Sequence, residues 1–243
     1  MDRRSFLKFA AASPTLLPPY AGATVRASQT PAPRTDFTFY SPLAEEWYRS
    51  GSYFEWTSTT PNNEGRRVKV FYRTFGDRAK PALVILHGYP TSSFDFRDMI
   101  PLLEEDYFIA ILDFPGFGFS DKPQDGYSYM LEDDAKLVDH FVRNIVELPR
   151  FHLLTHDRGG SVGFAFLGNY LAREHPTYEI PYHFISNGGL FLPLANLNQR
   201  QYETQHAVRG PEMVREQQAR PRVTEGTPQQ VAYADIQAFN DGI

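Results

Sequence analysis

Leu153-Leu154-Thr155-His156-Asp157-Arg158-Gly159-Gly160 joins an apolar run, Phe151 to Thr155, to a segment of helical periodicity, Gly160 to Arg173. The run is largely apolar, with His152 inside it, and reads as a buried strand. The segment after it carries Val162, Phe164, Ala165, Phe166 and Leu167 at helical spacing. Two glycines at the junction suit a chain that turns sharply, with strand and helix backbones close together. The pattern small-x-nucleophile-x-Gly between a strand and a helix is a nucleophile elbow. Asp157 stands at its apex, where Ser or Cys is more usual, and Thr155 replaces a Gly two residues earlier. The residues leave one other reading open, in which Asp157 only caps the following helix.

Working outward, two further polar segments follow apolar runs. His87-Gly88-Tyr89-Pro90 follows Ala82 to Leu86, and Asp113 to Ser120 (DFPGFGFS) follows Tyr107 to Leu112. Ser92 to Glu104 reads as a helix that Pro101 bends or ends. Tyr129 to Leu148 reads as a longer helix, and Tyr182 to Ser186 as a fourth buried strand. Strands alternating with helices predict an α/β fold, a mostly parallel sheet with helices on both faces. Ahead of it, Tyr53 to Thr57 and Arg66 to Phe75 read as an antiparallel pair turned at Gly65, and residues 36–50 as a leading helix. All three polar segments then lie at carboxyl ends of strands, where open α/β sheets place their ligands. From Leu190 the pattern changes. Gln, Arg and Glu dominate 198–230, which reads as a separate helical excursion.

Composition excludes several classes. A net charge of −5 argues against a general nucleic-acid binder. The absence of cysteine removes disulfide scaffolds, thiol nucleophiles, Cys-ligated zinc and Fe–S clusters. No apolar run approaches the ~20 residues of a membrane span. Aromatics at 15% predict a packed core rather than a disordered chain.

Residues 1–27 read as a targeting segment. Arg3-Arg4-Ser5-Phe6-Leu7-Lys8 resembles the twin-arginine export signal. An apolar stretch from Phe9 to Tyr20 follows, and Ala21-Gly22-Ala23 offers a small-x-small cleavage site. This predicts export by the twin-arginine machinery to a periplasmic or secreted location, with 28–50 as linker and leading helix.

The three segments together resemble the α/β-hydrolase superfamily, in the branch of epoxide hydrolases and haloalkane dehalogenases. HGYPTSSFDFRDMIP is similar to that branch's HGxP segment, LDFPGFGFSDKP to its following loop and LLTHDRGG to its aspartate elbow. The elbow together with SNGGLF (Ser186 to Phe191) also resembles the mesoderm-specific-transcript group. The likeness spans residues 65–195. It implies an α/β-hydrolase core over 51–191 and the start of a helical cap over 192–243.

Several roles follow from the resemblance. Asp157 would be the nucleophile, attacking an sp³ carbon to give an alkyl-enzyme ester that a His-activated water hydrolyses. The amides of Tyr89 and Arg158 would form the oxyanion hole, with a cis Tyr89–Pro90 bond aiming the former into the site. Tyr202 and Tyr233 are the candidate ring-opening tyrosines of the cap. His87 and His156 occupy motif positions that serve structure, and Asp113 is expected to hold its loop. No cofactor or metal is implied. An epoxide-hydrolase type of activity ranks first. A dehalogenase ranks second, since Arg158 and Tyr89 stand where haloalkane dehalogenases use Trp and Asn, and Ser161 stands where fluoroacetate dehalogenases carry a second Arg. A non-catalytic binding protein of the same fold is the reading from another class. The superfamily's catalytic acid and His sit on later strand–helix units, on the order of 60 residues. The sequence up to Ile243 is therefore expected to be C-terminally incomplete, its last strands missing.

Overall fold

The computed structural model describes residues 39, 41–123 and 126–188, with positions 199, 203, 209, 212 and 213 beyond them. The targeting segment and the candidate cap residues Tyr202 and Tyr233 lie outside the described residues.

Helix α1 spans Pro42–Arg49. Ser41 caps it by accepting the Ala44 N–H, and Pro42 sits in the first turn, where a missing N–H costs nothing. It buries Ala44, Trp47 and Tyr48. Strands β1 (Ser52–Thr57) and β2 (Arg67–Phe75) pair antiparallel, Phe54 opposite Val70. Strands β3 (Ala82–Leu86), β4 (Phe108–Leu112), β5 (Phe151–His156) and β6 (His183–Ser186) complete a six-stranded sheet of order β1-β2-β4-β3-β5-β6. β2 also runs antiparallel to β4, whereas β4, β3, β5 and β6 are mutually parallel.

The apolar runs of β3 and β4 alternate between two cores, as a period of two requires. Val84, Leu86, Ala110 and Leu112 face helices α2 (Leu131–His140) and α3 (Arg158–Leu171), through Ala135, Val138, Val162 and Phe166. Leu83, Ile85, Ile109 and Ile111 face α1 and the turns after β3, through Trp47, Phe94 and Ile100. Burial on both sides explains why these strands read as unbroken hydrophobic runs. Each buried Val, Leu or Ile among them contributes about 1.5–3 kcal/mol of transfer free energy.

Two expected helices differ. Ser92 to Glu104 forms two 3₁₀ turns, Ser93–Phe96 and Ile100–Leu102, instead of one helix. Ser92 Oγ and the Asp113 carboxylate take the Phe94 and Ser93 amides, and Pro101 has no N–H to offer an α ladder. The longer helix loses its α register after His140. Phe141–Ile145 is a π turn, in which the Val146 N–H reaches back five residues to the Phe141 carbonyl.

Candidate active site

The chain passes from β3 to β4 on one side and returns to β5 on the other. The carboxyl ends of these three neighbouring strands carry His87-Gly88-Tyr89, Asp113-Phe114 and Asp157, so the sheet itself brings the three polar segments together.

Asp157 turns the chain from β5 into α3 with φ +49 and ψ −120, in the left-handed half of the map that a side chain rarely adopts. Its main chain is pinned on both sides: its N–H donates to the Ser186 carbonyl at 3.1 Å, and its carbonyl accepts the Gly160 N–H at 2.9 Å. The sharp turn brings α3 against β3. A Cβ on Gly159 would lie 2.4 Å from the Leu86 carbonyl oxygen, and one on Gly88 2.5 Å from the Asp157 Cβ. Both glycines are therefore required by close approach rather than by flexibility.

One carboxylate oxygen is held and the other is not. Asp157 Oδ1 accepts the Tyr89 N–H at 2.9 Å and the Arg158 N–H at 2.5 Å. Oδ2 makes no hydrogen bond among the described residues. The Tyr89–Pro90 bond is cis. The expected oxyanion pair, Tyr89 and Arg158, thus converges on the expected nucleophile, Asp157. The capping alternative is present in the same geometry, since the Arg158 N–H is the first of α3. The Tyr89 amide, from another strand, has no part in capping.

His87 is buried, and both ring nitrogens are used. Nδ1 lies 2.9 Å from the Gly88 carbonyl, and Nε2 accepts the Phe114 N–H at 2.9 Å. Accepting at Nε2 requires a neutral ring, and burial holds the imidazole below its usual range despite nearby Asp113. It fixes the loops and has no lone pair left to act as a base. Asp113 does likewise. Its carboxylate accepts the Ser93 and Phe119 amides at 2.8 and 2.9 Å. His156 Nδ1 reaches Ser186 Oγ at 3.3 Å.

Arg158 holds a pairing that its sequence position did not signal. Its guanidinium runs back to Asp134 on the first turn of α2 and forms a charge-assisted pair with its carboxylate. The guanidinium carbon lies 5.4 Å from the ring centres of both Phe114 and Phe117. Phe117 also meets the Tyr89 ring edge-on at 6.3 Å. Asp134 reads from sequence as one of three acidic residues at a helix start, and nothing in a single sequence links it to a residue 24 positions away. Among the described residues no cluster of His, Cys, Asp and Glu could hold a metal ion.

The alpha/beta hydrolase fold family matches residues 81–177, the stretch that carries β3, β4, β5 and the turn at Asp157. LipZ of Mycobacterium tuberculosis, which carries a hydrolase name, is 37% identical over 157 residues, 65% of this chain and 50% of its own length. The mesoderm-specific transcript protein of Mus musculus is 32% identical over 155 residues, 62% of this chain and 43% of its own. A soluble epoxide hydrolase of Corynebacterium is 37% identical over 86 residues, 35% of this chain and 28% of its own. The chain spans about half the length of the first two. Among solved structures, haloalkane dehalogenase DbeA from Bradyrhizobium elkani superposes with a TM-score of 0.54 at 19% identity, over 78% of this chain and 62% of its own. At that identity the likeness concerns the fold.

Proposed function

We propose that this chain, a member of the α/β-hydrolase superfamily, carries the nucleophile half of an epoxide-hydrolase-like site, with Asp157 attacking through Oδ2. The observation that carries the reading is the division of labour within one carboxylate. Tyr89 and Arg158 amides hold Oδ1, which leaves Oδ2 to bond carbon.

The steps balance as follows. Oδ2 forms a bond to an epoxide carbon, the C–O bond of the ring breaks, and the alkoxide takes a proton from a donor acid. The product of this half is an ester on Asp157. Water then attacks the ester carbonyl, giving up its proton to a base. Negative charge develops on Oδ1 while two amides already point at it, so the stabilisation needs no reorganisation. Collapse returns the carboxylate and a diol, for a net addition of water to the epoxide. A backbone amide pair suits this second step because the ester has no charge until water adds.

The short match to a soluble epoxide hydrolase supports epoxides over halides. So does Arg158, whose guanidinium is engaged by Asp134 rather than presented to a leaving halide. Export to the periplasm through the twin-arginine machinery belongs to the same proposal and rests on Arg3-Arg4-Ser5-Phe6-Leu7-Lys8.

Single turnover of styrene oxide in ¹⁸O-water tests the reading. Label is expected in the Asp157 carboxylate, because water attacks the ester carbonyl. Label confined to the diol, with Asp157→Asn fully active, overturns it. Halide release from haloalkanes without epoxide opening would favour a dehalogenase, and inertness to both a binding role.

A further inference from the structure

Asp134 is almost fully buried, 6% exposed, and Arg158 is 16% exposed. A carboxylate is costly to bury unless it is paired and hydrogen-bonded. Here its partner is the residue directly after the candidate nucleophile. On the reading of Asp157 as that nucleophile, we propose that Asp134 sets the charge selectivity of the site: its pair with Arg158 cancels a cation beside Asp157 and reserves the site for uncharged substrates.

Two observations support this. First, the guanidinium packs on Phe117, whose ring also meets Tyr89, so the charge lies one aromatic ring from the residue that holds Oδ1. Second, among the described residues Arg158 Nη1 is buried without a hydrogen-bond partner, so the guanidinium's hydrogen bonding rests on Asp134. The pair also bears on Asp157, the residue next to Arg158 in sequence. An Arg158 without Asp134 would draw on Asp157 and lower its reactivity, or would accept an anionic ligand. With Asp134 in place, the guanidinium is engaged by Asp134 instead.

Among the described residues, few titratable groups face this pair. Asp133 lies beside Asp134 on α2, Tyr127 and Tyr129 face it from the preceding loop, and His87 senses Arg158 from the end of β3. Burial holds both tyrosines up and His87 down, so all three stay neutral near neutral pH. Burial, outweighing the pull of Arg158, also lifts the Asp134 carboxyl to about 6. Acidification through that value should release Arg158 in the wild type.

The test measures two things on wild type, Asp134→Asn and the double variant Asp134→Asn/Arg158→Gln. Phenylacetate and benzyl alcohol are titrated calorimetrically as anionic and neutral probes, and alkylation of Asp157 by styrene oxide is followed by mass spectrometry. D134N is expected to bind phenylacetate roughly tenfold more tightly, with benzyl alcohol unchanged and alkylation slowed. The double variant is expected to lose that gain. Wild type should gain phenylacetate affinity between about pH 7.5 and about pH 5.5, and D134N should not. A change in the same direction for both probes, or an unchanged ratio in D134N together with a flat wild-type profile, overturns the proposal. If D134N does not fold, the wild-type pH profile decides alone. Failure of styrene oxide to alkylate wild-type Asp157 would count against the proposed nucleophile, while the two titrations would still decide the role of Asp134.

Discussion

The backbone N–H of Tyr89 donates to Asp157 Oδ1 at 2.9 Å, across 68 residues of sequence. The contact exists because β3 and β5 are hydrogen-bonded neighbours that end at the same level, Leu86 opposite Thr155. Gly88 sets its tightness, since a Cβ there would lie 2.5 Å from the Asp157 Cβ. Gly88→Ala should therefore separate the Tyr89 amide from Oδ1. Loss of one such donor costs roughly 10²–10³ in turnover. On the proposed reading, epoxide hydrolysis should fall by about that factor while the melting temperature moves only a few degrees. Undiminished hydrolysis would show that this amide does no chemistry.

A second prediction concerns stability away from the nucleophile. Asp133 is buried and accepts Ser58 Oγ at 2.6 Å, Asn63 Nδ2 at 2.9 Å and the Tyr127 hydroxyl at 3.0 Å. It ties the β1–β2 turn and the loop before α2 to that helix. Asp133→Ala removes an acceptor from three donors, of which Asn63 Nδ2 keeps the Ser128 carbonyl and Ser58 Oγ keeps Thr60 Oγ1, and should cost about 2 kcal/mol. Urea unfolding measures it, and a loss below about 1 kcal/mol would contradict the assignment.

The pH dependence contains two opposed contributions. His87, His140, His152 and His183 are all held below the usual histidine value by burial. The unfolded chain therefore takes up protons first, and this part of the stability is lost as pH falls below about 6.5. Asp134 acts in reverse. Its folded-state value of about 6 exceeds the unfolded 3.8, so between them the folded state binds more protons and gains stability on acidification. The melting-temperature difference between wild type and Asp134→Asn should shift in favour of wild type from about pH 6 to about pH 4. A constant difference would mean that Asp134 does not titrate there.

Export gives a prediction independent of the chemistry. If Arg3-Arg4 and Ala21-Gly22-Ala23 act as signal and cleavage site, the protein recovered from the periplasm begins near Thr24. Mass spectrometry of the N-terminal peptide decides it, and an intact Met1 on correctly located protein would sink the idea.

Much of the core was legible because burial on both faces leaves no polar alternation to blur. Ala82 to Leu86 and Phe108 to Leu112 announce strands by composition alone, and Phe151 to Thr155 does so despite the half-buried His152. The turn at Asp157 was legible because a tight strand-to-helix turn needs small neighbours at fixed offsets. The turns after β3 were not. Whether Ser93 joins a helix depends on Asp113, a residue 20 positions away that takes its amide. The π turn at Phe141–Ile145 preserves apolar periodicity closely enough to pass for α-helix. The Asp134–Arg158 pair was hidden for a related reason. Each residue has an ordinary local explanation, an acidic helix start for one and an elbow neighbour for the other, and only the packing of α2 on α3 joins them.

The central claim is that Asp157 Oδ2 forms a covalent bond to substrate carbon. Rapid acid quenching of the protein with excess styrene oxide, followed by digestion and mass spectrometry, tests it most directly. The account predicts that the peptide containing Asp157 gains the mass of one styrene oxide, that the ester maps to Asp157, and that Asp157→Asn gains nothing. An unmodified Asp157 peptide while epoxide is being consumed, or an adduct on another residue that persists in Asp157→Asn, would contradict it.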